Sequence, residues 1–373
     1  VAGEPGEATQ APFDQQPKQP PDKQPKDKDK KDKDKKDKDK KDKDKKDKDK
    51  KEPPKKQPEP PPPLALTPPA PPAPLPALGR IDPEPMFGDP MFMVLFTTAG
   101  SALPAPSLRG FKIADHESPR PLDRAYVGFN FYDDVGASIN RRIHSVIHDQ
   151  RVYRETFAIE KTFLDERASV GLRLPLNTFT GESNDPALNG SSTDVGDLSI
   201  ILKYAVWRDH ECGNLVSVGL AVTTPTGPSS FAGSNQVAPL HSTTLQPYLG
   251  YIWNIGEFYL HGFSSIDVPT DERDVTILYD DVGIGYHLYR APDPCRLITA
   301  LVPTFEVHVN TPLNHRGSLR IHDLAGTPDV VDLTLGAYVH FYERARLGLA
   351  VAAPVTGPRP YDVEAIAHFE VRF

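Results

Sequence analysis

Apolar and polar residues alternate with a period of two over long stretches of this chain, most regularly at its end. Tyr361, Val363, Ala365, Ala367, Phe369, Val371 and Phe373 are apolar; Asp362, Glu364, His368, Glu370 and Arg372 stand between them, with Ile366 the one exception. Val331, Leu333, Leu335, Ala337, Val339 and Phe341 alternate in the same way with Asp332, Thr334, Gly336, Tyr338, His340 and Tyr342. Leu198, Ile200, Leu202, Tyr204 and Val206 alternate with Asp197, Ser199, Ile201, Lys203 and Ala205. Such alternation marks strands with one apolar face, and no helical period of comparable strength competes with it. Strands are expected over 123–134, 151–164, 168–178, 196–208, 214–225, 243–254, 258–267, 274–289, 297–310, 331–342, 346–356 and 361–373. Most are longer than the roughly 5–6 residues usual in soluble sheets and suit the about 9–11 residues of a tilted membrane strand.

The connections give a second argument. They alternate between long (135–150, 179–195, 226–242, 311–330) and short ("DER" at 165–167, "DHECG", "IGE" at 255–257, "APDPC", "ERA" at 343–345), with 268–273 and "GPRP" intermediate. Outer-membrane barrels have short periplasmic turns and longer outer loops. An even strand number puts both barrel ends on the short-turn side. The pattern therefore predicts an all-β protein: an antiparallel up-and-down transmembrane β-barrel of about twelve strands at 123–373. Phe369, Val371 and Phe373 complete the picture. An alternating apolar strand ending on an aromatic residue resembles the insertion signal of bacterial outer-membrane barrels, which the barrel-assembly machinery reads. A glycine common in that signal is replaced here by His368.

Charge divides the chain. The first 60 residues hold 20 lysines and 16 acidic groups, largely in a Lys/Asp repeat from Lys26 to Lys51; the remainder has 23 basic and 35 acidic groups. An acidic folded part argues against nucleic acid as a partner. Residues 1–80, with the repeat and "EPPPPLALTPPAPPAPLPAL", cannot bury enough apolar surface to offset ordering, and read as a disordered or extended periplasmic linker. Its excess lysine suits an anionic cell-wall polymer. Residues 81–122 read as a transitional lead-in or plug segment, within which "MFMVLFTT" (91–98) is apolar enough for a strand or a plugging piece. The start at Val1, without a charged and then apolar leader, is read as a mature form with its signal peptide removed.

"RGFKIADHESPRPLDRAYVGFNFYDDV" and "YRETFAIEKTFLDERASVGLRLPLNT" resemble outer-membrane barrel proteins of planctomycete-type bacteria. "VGDLSIILKYAVW" and "VGLAVTTPTG" are similar to outer-membrane channels associated with the phenol meta-degradation pathway. The resemblance covers about residues 107–373 and rests on structural motifs. It implies a barrel that passes small molecules, and it brings no catalytic residues.

The candidate chemistry is consistent with this. No G-x-S-x-G or comparable nucleophile motif surrounds the histidines, so no enzyme activity, cofactor or metal is expected. "DERD" (271–274) and "YDD" (279–281) are too few oxygens for a defined cation loop. Arg154, Glu160, Lys203, Glu306, His308, His340, His368, Glu370 and Arg372 fall on polar strand faces and are the lumen-lining candidates; they would either set solute preference or fill a narrow barrel. Cys212 and Cys295 form a possible disulfide, although their turns lie four strands apart. Three functions remain open: a passive channel for a small solute in the outer-membrane lipid, an envelope protein that tethers the membrane to the cell wall through its tail, and, as the weakest, a soluble β-sandwich binding module.

Overall fold

The computed structural model describes residues 82–88, 93–98, 101–106, 111–138, 141, 147–183, 190–227, 242–316, 327–342 and 344–373. The Lys/Asp repeat and the proline-rich stretch, with the readings attached to them, lie outside these residues.

β1 (Met93–Thr98) and β2 (Ser101–Pro106) pair only with each other. The remaining strands are β3 (Arg124–Asp133), β4 (Ile147–Phe163), β5 (Ala168–Ser183), β6 (Gly190–Val195), β7 (Leu198–Arg208), β8 (Leu215–Thr224), β9 (Thr244–Ile255), β10 (Phe258–Pro269), β11 (Ile277–Tyr286), β12 (Tyr289–Arg290), β13 (Ile298–Pro312), β14 (Val330–Phe341), β15 (Ala345–Pro354) and β16 (Val363–Arg372). Twelve of them pair in sequence as antiparallel neighbours, and β16 returns to β3, from Val363 opposite Asp133 to Arg372 opposite Arg124. The result is a closed barrel without a free edge, the arrangement that removes the aggregation hazard of a long half-apolar strand. The short β6 extends the far end of β5, and β12 pairs with the start of β13.

The two faces have opposite chemistry. On β9, Leu245, Leu249 and Trp253 are exposed, while Thr244, Gln246, Tyr248 and Ile252 are buried. On β5, Leu172 and Leu174 are exposed and the intervening Arg173 is buried. Apolar side chains face outward and polar ones inward around the ring, the inverse of a soluble protein and the pattern of a barrel in lipid. Trp207, Trp253, Phe258, Tyr289, Tyr342 and Phe373 are exposed at the short-turn end, and the two tryptophans stack at 5.9 Å. Aromatic rings at that level suit a membrane interface.

Strands β4, β5 and β13 run further than the alternation suggests, to Ile147, Ser183 and Pro312. In β4 and β5 the extra residues lie at the long-loop end, where cross-strand pairing continues past the apolar band.

Candidate functional site

The centre of the barrel is occupied by the chain itself. Residues 82–88 and 111–122 lie inside the ring and are buried almost throughout. The two stretches form the arms of an inner strap. The first arm starts at the short-turn mouth, where Asp82 pairs with Arg372, and rises to Phe87 and Gly88. The second descends from Phe111 to Leu122 and feeds β3 directly. The arms hold each other: the Met86 amide donates to the Glu117 carbonyl at 2.8 Å, and Arg120 Nε lies 2.9 Å from Asp82 Oδ1.

Two apolar patches on the inner wall receive the strap. Met86, Phe111, Ile113 and Ala114 pack on Ile201, Ala221, Tyr248 and Phe263. Phe87 packs with Tyr259, Ala300, Val302, Tyr338, Ala350, Ala352 and Ile366. Ile366, the one break in the alternation of β16, is thus an inner-face residue opposite Phe87. Phe87 stacks on Tyr338 at 4.5 Å and 21°. The wall is cut back to admit the strap: a Cβ at Gly336 would lie 2.5 Å from the Phe87 ring, and one at Gly128 2.4 Å from the His116 ring.

The polar contacts divide by height. At the short-turn end, Arg124 pairs with Glu117 and lies 2.7 Å from Glu160 Oε2 and 3.0 Å from Glu370 Oε2. Lys203 Nζ is 3.0 Å from Glu160 and 3.3 Å from Glu117. Arg346 Nη1 and His340 Nε2 hold Glu84 at 2.9 and 2.7 Å, and Arg372 bridges Glu370 and Asp82. The wall contributes four cations here (Arg124, Lys203, Arg346, Arg372) and two carboxylates (Glu160, Glu370), and the strap three carboxylates (Asp82, Glu84, Glu117) and one guanidinium (Arg120). The wall's formal excess of two positive charges is matched by the strap's excess of two negative ones. Buried charges are costly unless paired and hydrogen-bonded, so this wall and this strap require each other in the state shown.

Further up, Lys112 Nζ reaches Asp281 at 2.6 Å and Asn310 at 2.8 Å. His308 lies between carboxylates, with Nδ1 2.8 Å from Asp281 and Nε2 3.2 Å from Glu306. Glu306 also accepts the Phe87 and Gly88 amides at 3.0 and 3.2 Å. Arg173 pairs with Asp115 and donates to its carbonyl at 2.8 Å. His116 meets Asn130 through Nε2 at 3.2 Å, and its ring stacks on His368 at 5.1 Å.

Two strap groups are strongly shifted. Burial pushes the Glu84 carboxyl upward, but Arg346 and His340 outweigh it and hold it down at about 2. Burial lowers His116 to about 4, against a smaller upward pull from Asn130, so the ring is neutral in place.

Of the candidates named from sequence, Arg154, Glu160, Lys203, Glu306, His308, His368 and Glu370 are buried on the inner face, and His340 and Arg372 stand at the short-turn mouth. Phe369, Val371 and Phe373 are exposed on the outer side of the terminal strand. Cys212 and Cys295 are exposed, free thiols on separate turns; the possible disulfide is absent, as expected for turns separated by four strands. Asp271 is occupied by Arg273 (2.9 Å to Nε), and Asp281 by Lys112 and His308.

Sequence reasoning missed Arg124, Arg173 and Arg346 on the wall, all at inner-face positions of the same alternation, and the strap's Glu84, Lys112, Asp115 and Glu117; Asp281, weighed only as a cation ligand, is a further wall residue. His148, weighed from the sequence only as one of the histidines, stands with Asp149 and Glu182 at the long-loop end, their ring nitrogen and carboxylate oxygens within 4.8 Å of one another and all exposed.

A closed twelve-stranded ring, apolar outside and charged inside, is an outer-membrane β-barrel. Residues 118–291, a little under half of the chain, match the sequence profile of the family described as "Putative MetA-pathway of phenol degradation". Among solved structures, the chain is similar to an outer membrane channel from Pseudomonas putida F1, at 14% identity and TM-score 0.45, over 68% of this chain and 96% of that one. It is also similar to the β domain of the Bordetella autotransporter BrkA (9%, TM-score 0.40, 67% and 99% covered) and to LpxR from Salmonella typhimurium (9%, TM-score 0.40, 67% and 100% covered). No curated protein sequence matches the chain significantly.

Proposed function

We propose that the protein is a passive outer-membrane channel for small solutes, held closed in this state by the inner strap. The observation that supports this most is the charge match between strap and wall at the short-turn mouth. Those contacts are non-covalent and can be exchanged for water or solute without disturbing any pairing of the ring. The match to the phenol-degradation family profile agrees with transport of small molecules. The buried carboxylates and histidines hold the strap, which is a binding role. Planar-bilayer recordings test the reading. The full chain conducts rarely, and weakening the strap by Phe87→Ala with Glu117→Gln raises the fraction of time open at least tenfold. Absence of conductance and of liposome flux in both forms would sink it.

A second reading has one observation in its favour. Asp82 lies at the short-turn mouth, beside Arg372 at the end of the last strand. We infer from this that the residues before it are periplasmic and reach toward an anionic cell-wall polymer. Deleting residues 1–80 then causes blebbing of the envelope with solute flux unchanged; an intact envelope counts against tethering. Recognition of Phe373 by the assembly machinery is tested in the same strain, where Phe373→Ser lowers the amount of inserted barrel.

A further inference from the structure

Glu84 and Phe87 of the strap rest on one small area of wall. His340 and Tyr338 are neighbouring inner-face residues of β14, and Arg346 and Gly348 are neighbouring inner-face residues of β15. The register pairs His340 with Arg346 and Tyr338 with Gly348. The result is two adjacent rows, two residues apart along the strands, or about 7 Å.

The first row is a carboxylate clamp, with Arg346 Nη1 at 2.9 Å from one Glu84 oxygen and His340 Nε2 at 2.7 Å from the other. A guanidinium and a ring nitrogen that share the two oxygens of one carboxylate give strong, geometrically specific recognition. The second row is a slot for a flat ring. Tyr338 is its floor, stacked on Phe87 at 21°. Its walls are two glycines: a Cβ at Gly336 or Gly348 would stand 2.5 or 2.8 Å from the Phe87 ring. Ala300, Val302 and Ile366 back it. A glycine-walled slot over an aromatic floor admits a planar ring and excludes a bulky one.

We propose that the β14–β15 wall is a binding subsite for a small aromatic carboxylate, with a ring and an acid group joined by a short chain. In the structure the strap fills it with its own Glu84 and Phe87. The proposal rests on the channel reading, because solute reaches the subsite only when the strap withdraws. Strap and solute then compete: an aromatic acid occupies the vacated clamp and slot and holds the strap out.

The test is calorimetric titration of the full chain in detergent with 3-phenylpropanoate. Wild type binds at least tenfold more weakly than Glu84→Ala/Phe87→Ala, in which the subsite is vacated. In that background, Arg346→Gln or Gly336→Val removes at least tenfold of the gain. Butyrate, which lacks the ring, and 3-phenylpropanol, which lacks the acid, bind at least tenfold more weakly than 3-phenylpropanoate. Equal affinity in wild type and the vacated variant, no binding to the vacated variant, or equal binding of butyrate overturns the proposal. Heat-modifiable migration on gels confirms that each variant is a folded barrel. If the double variant does not fold, Phe87→Ala alone vacates the slot: it binds benzyl alcohol, and wild type and Phe87→Ala/Gly336→Val do not, whereas no difference among the three overturns the slot. Binding is read without flux, so a barrel that does not conduct leaves this test standing, and a conducting barrel that binds no aromatic acid overturns the subsite alone.

Discussion

Gly88 lies directly against the backbone of Asp115, where the two arms of the strap run side by side. A Cβ at Gly88 would stand 2.4 Å from the Asp115 Cα, and the residue has φ of +72°. Close approach and left-handed backbone both require glycine there. Gly88→Ala should weaken docking of the strap by about 1–3 kcal/mol while leaving the ring intact. The readout is faster amide exchange over 111–122 with unchanged exchange in the ring strands; unchanged exchange over 111–122 would show that the close approach at Gly88 does not hold the strap.

The Glu117 carboxylate lies between Arg124 and Lys203 and accepts from the Tyr126 hydroxyl at 2.9 Å. Removing one member of a buried ion network strands its partners. Glu117→Ala should cost about 3–5 kcal/mol in urea unfolding of the folded barrel. Adding Lys203→Met should recover part of that loss, because one stranded cation is removed; no recovery would mean that water already solvates Lys203.

Acid should loosen the strap. His116 is neutral in place, with a value of about 4 against an ordinary 6.5, and its surroundings include His368, Asp115, Asn130, Arg124, Arg154 and Glu306. The released strap therefore binds the extra proton, and docking loses up to about 3 kcal/mol as pH falls from 6.5 to 4. Glu84, lowered to about 2 from 4.5, stabilises the docked state fully above 4.5 and loses that contribution as pH falls toward 2. Both act in the same direction, and neither changes docking above pH 7. Open time in bilayers should rise between pH 7 and 4, and His116→Gln should flatten the upper part of that rise.

Leu172 is exposed on the outer face of β5, two residues from Leu174 and next to inward-facing Arg173. Leu172→Arg should destabilise the barrel in lipid by about 2–4 kcal/mol, measured by reversible unfolding in vesicles. A negligible effect would place this position outside the hydrocarbon layer.

The two thiols report on sidedness. Cys212 and Cys295 are exposed on turns at the end where β16 finishes. In intact cells a membrane-impermeant maleimide should label neither, and after permeabilisation of the outer membrane it should label both. Hydrogen bonding to the Asp209 carboxylate raises the Cys212 thiol, so Cys212 should react faster at neutral pH in Asp209→Asn than in the wild type. Labelling in intact cells would invert the assigned orientation.

The ring was legible because each strand obeys a local rule. Alternation places Leu172 outside and Arg173 inside whatever the neighbours are, and short turns such as 165–167 fix which strands are adjacent. The lumen was legible only in part. Glu160 and Glu370 could be placed on the inner face, but their shared partner Arg124 could not be identified, because it joins them across strands β3, β4 and β16. The strap was hardest to read. Residues 82–88 have no period and no motif. Their trace in the sequence is indirect: apolar residues such as Ile201, Phe263 and Ile366 at inner-face positions that the alternation assigns to polar groups. An interior hydrophobe in a barrel of this kind signals that something other than water is meant to touch it.

Asp82 and Leu122 stand at the same mouth of the barrel, so both arms of the strap are moored on one side of the ring. Neither arm supplies a rung to the ring's ladder, so both can lift from the wall without opening the seam between β16 and β3.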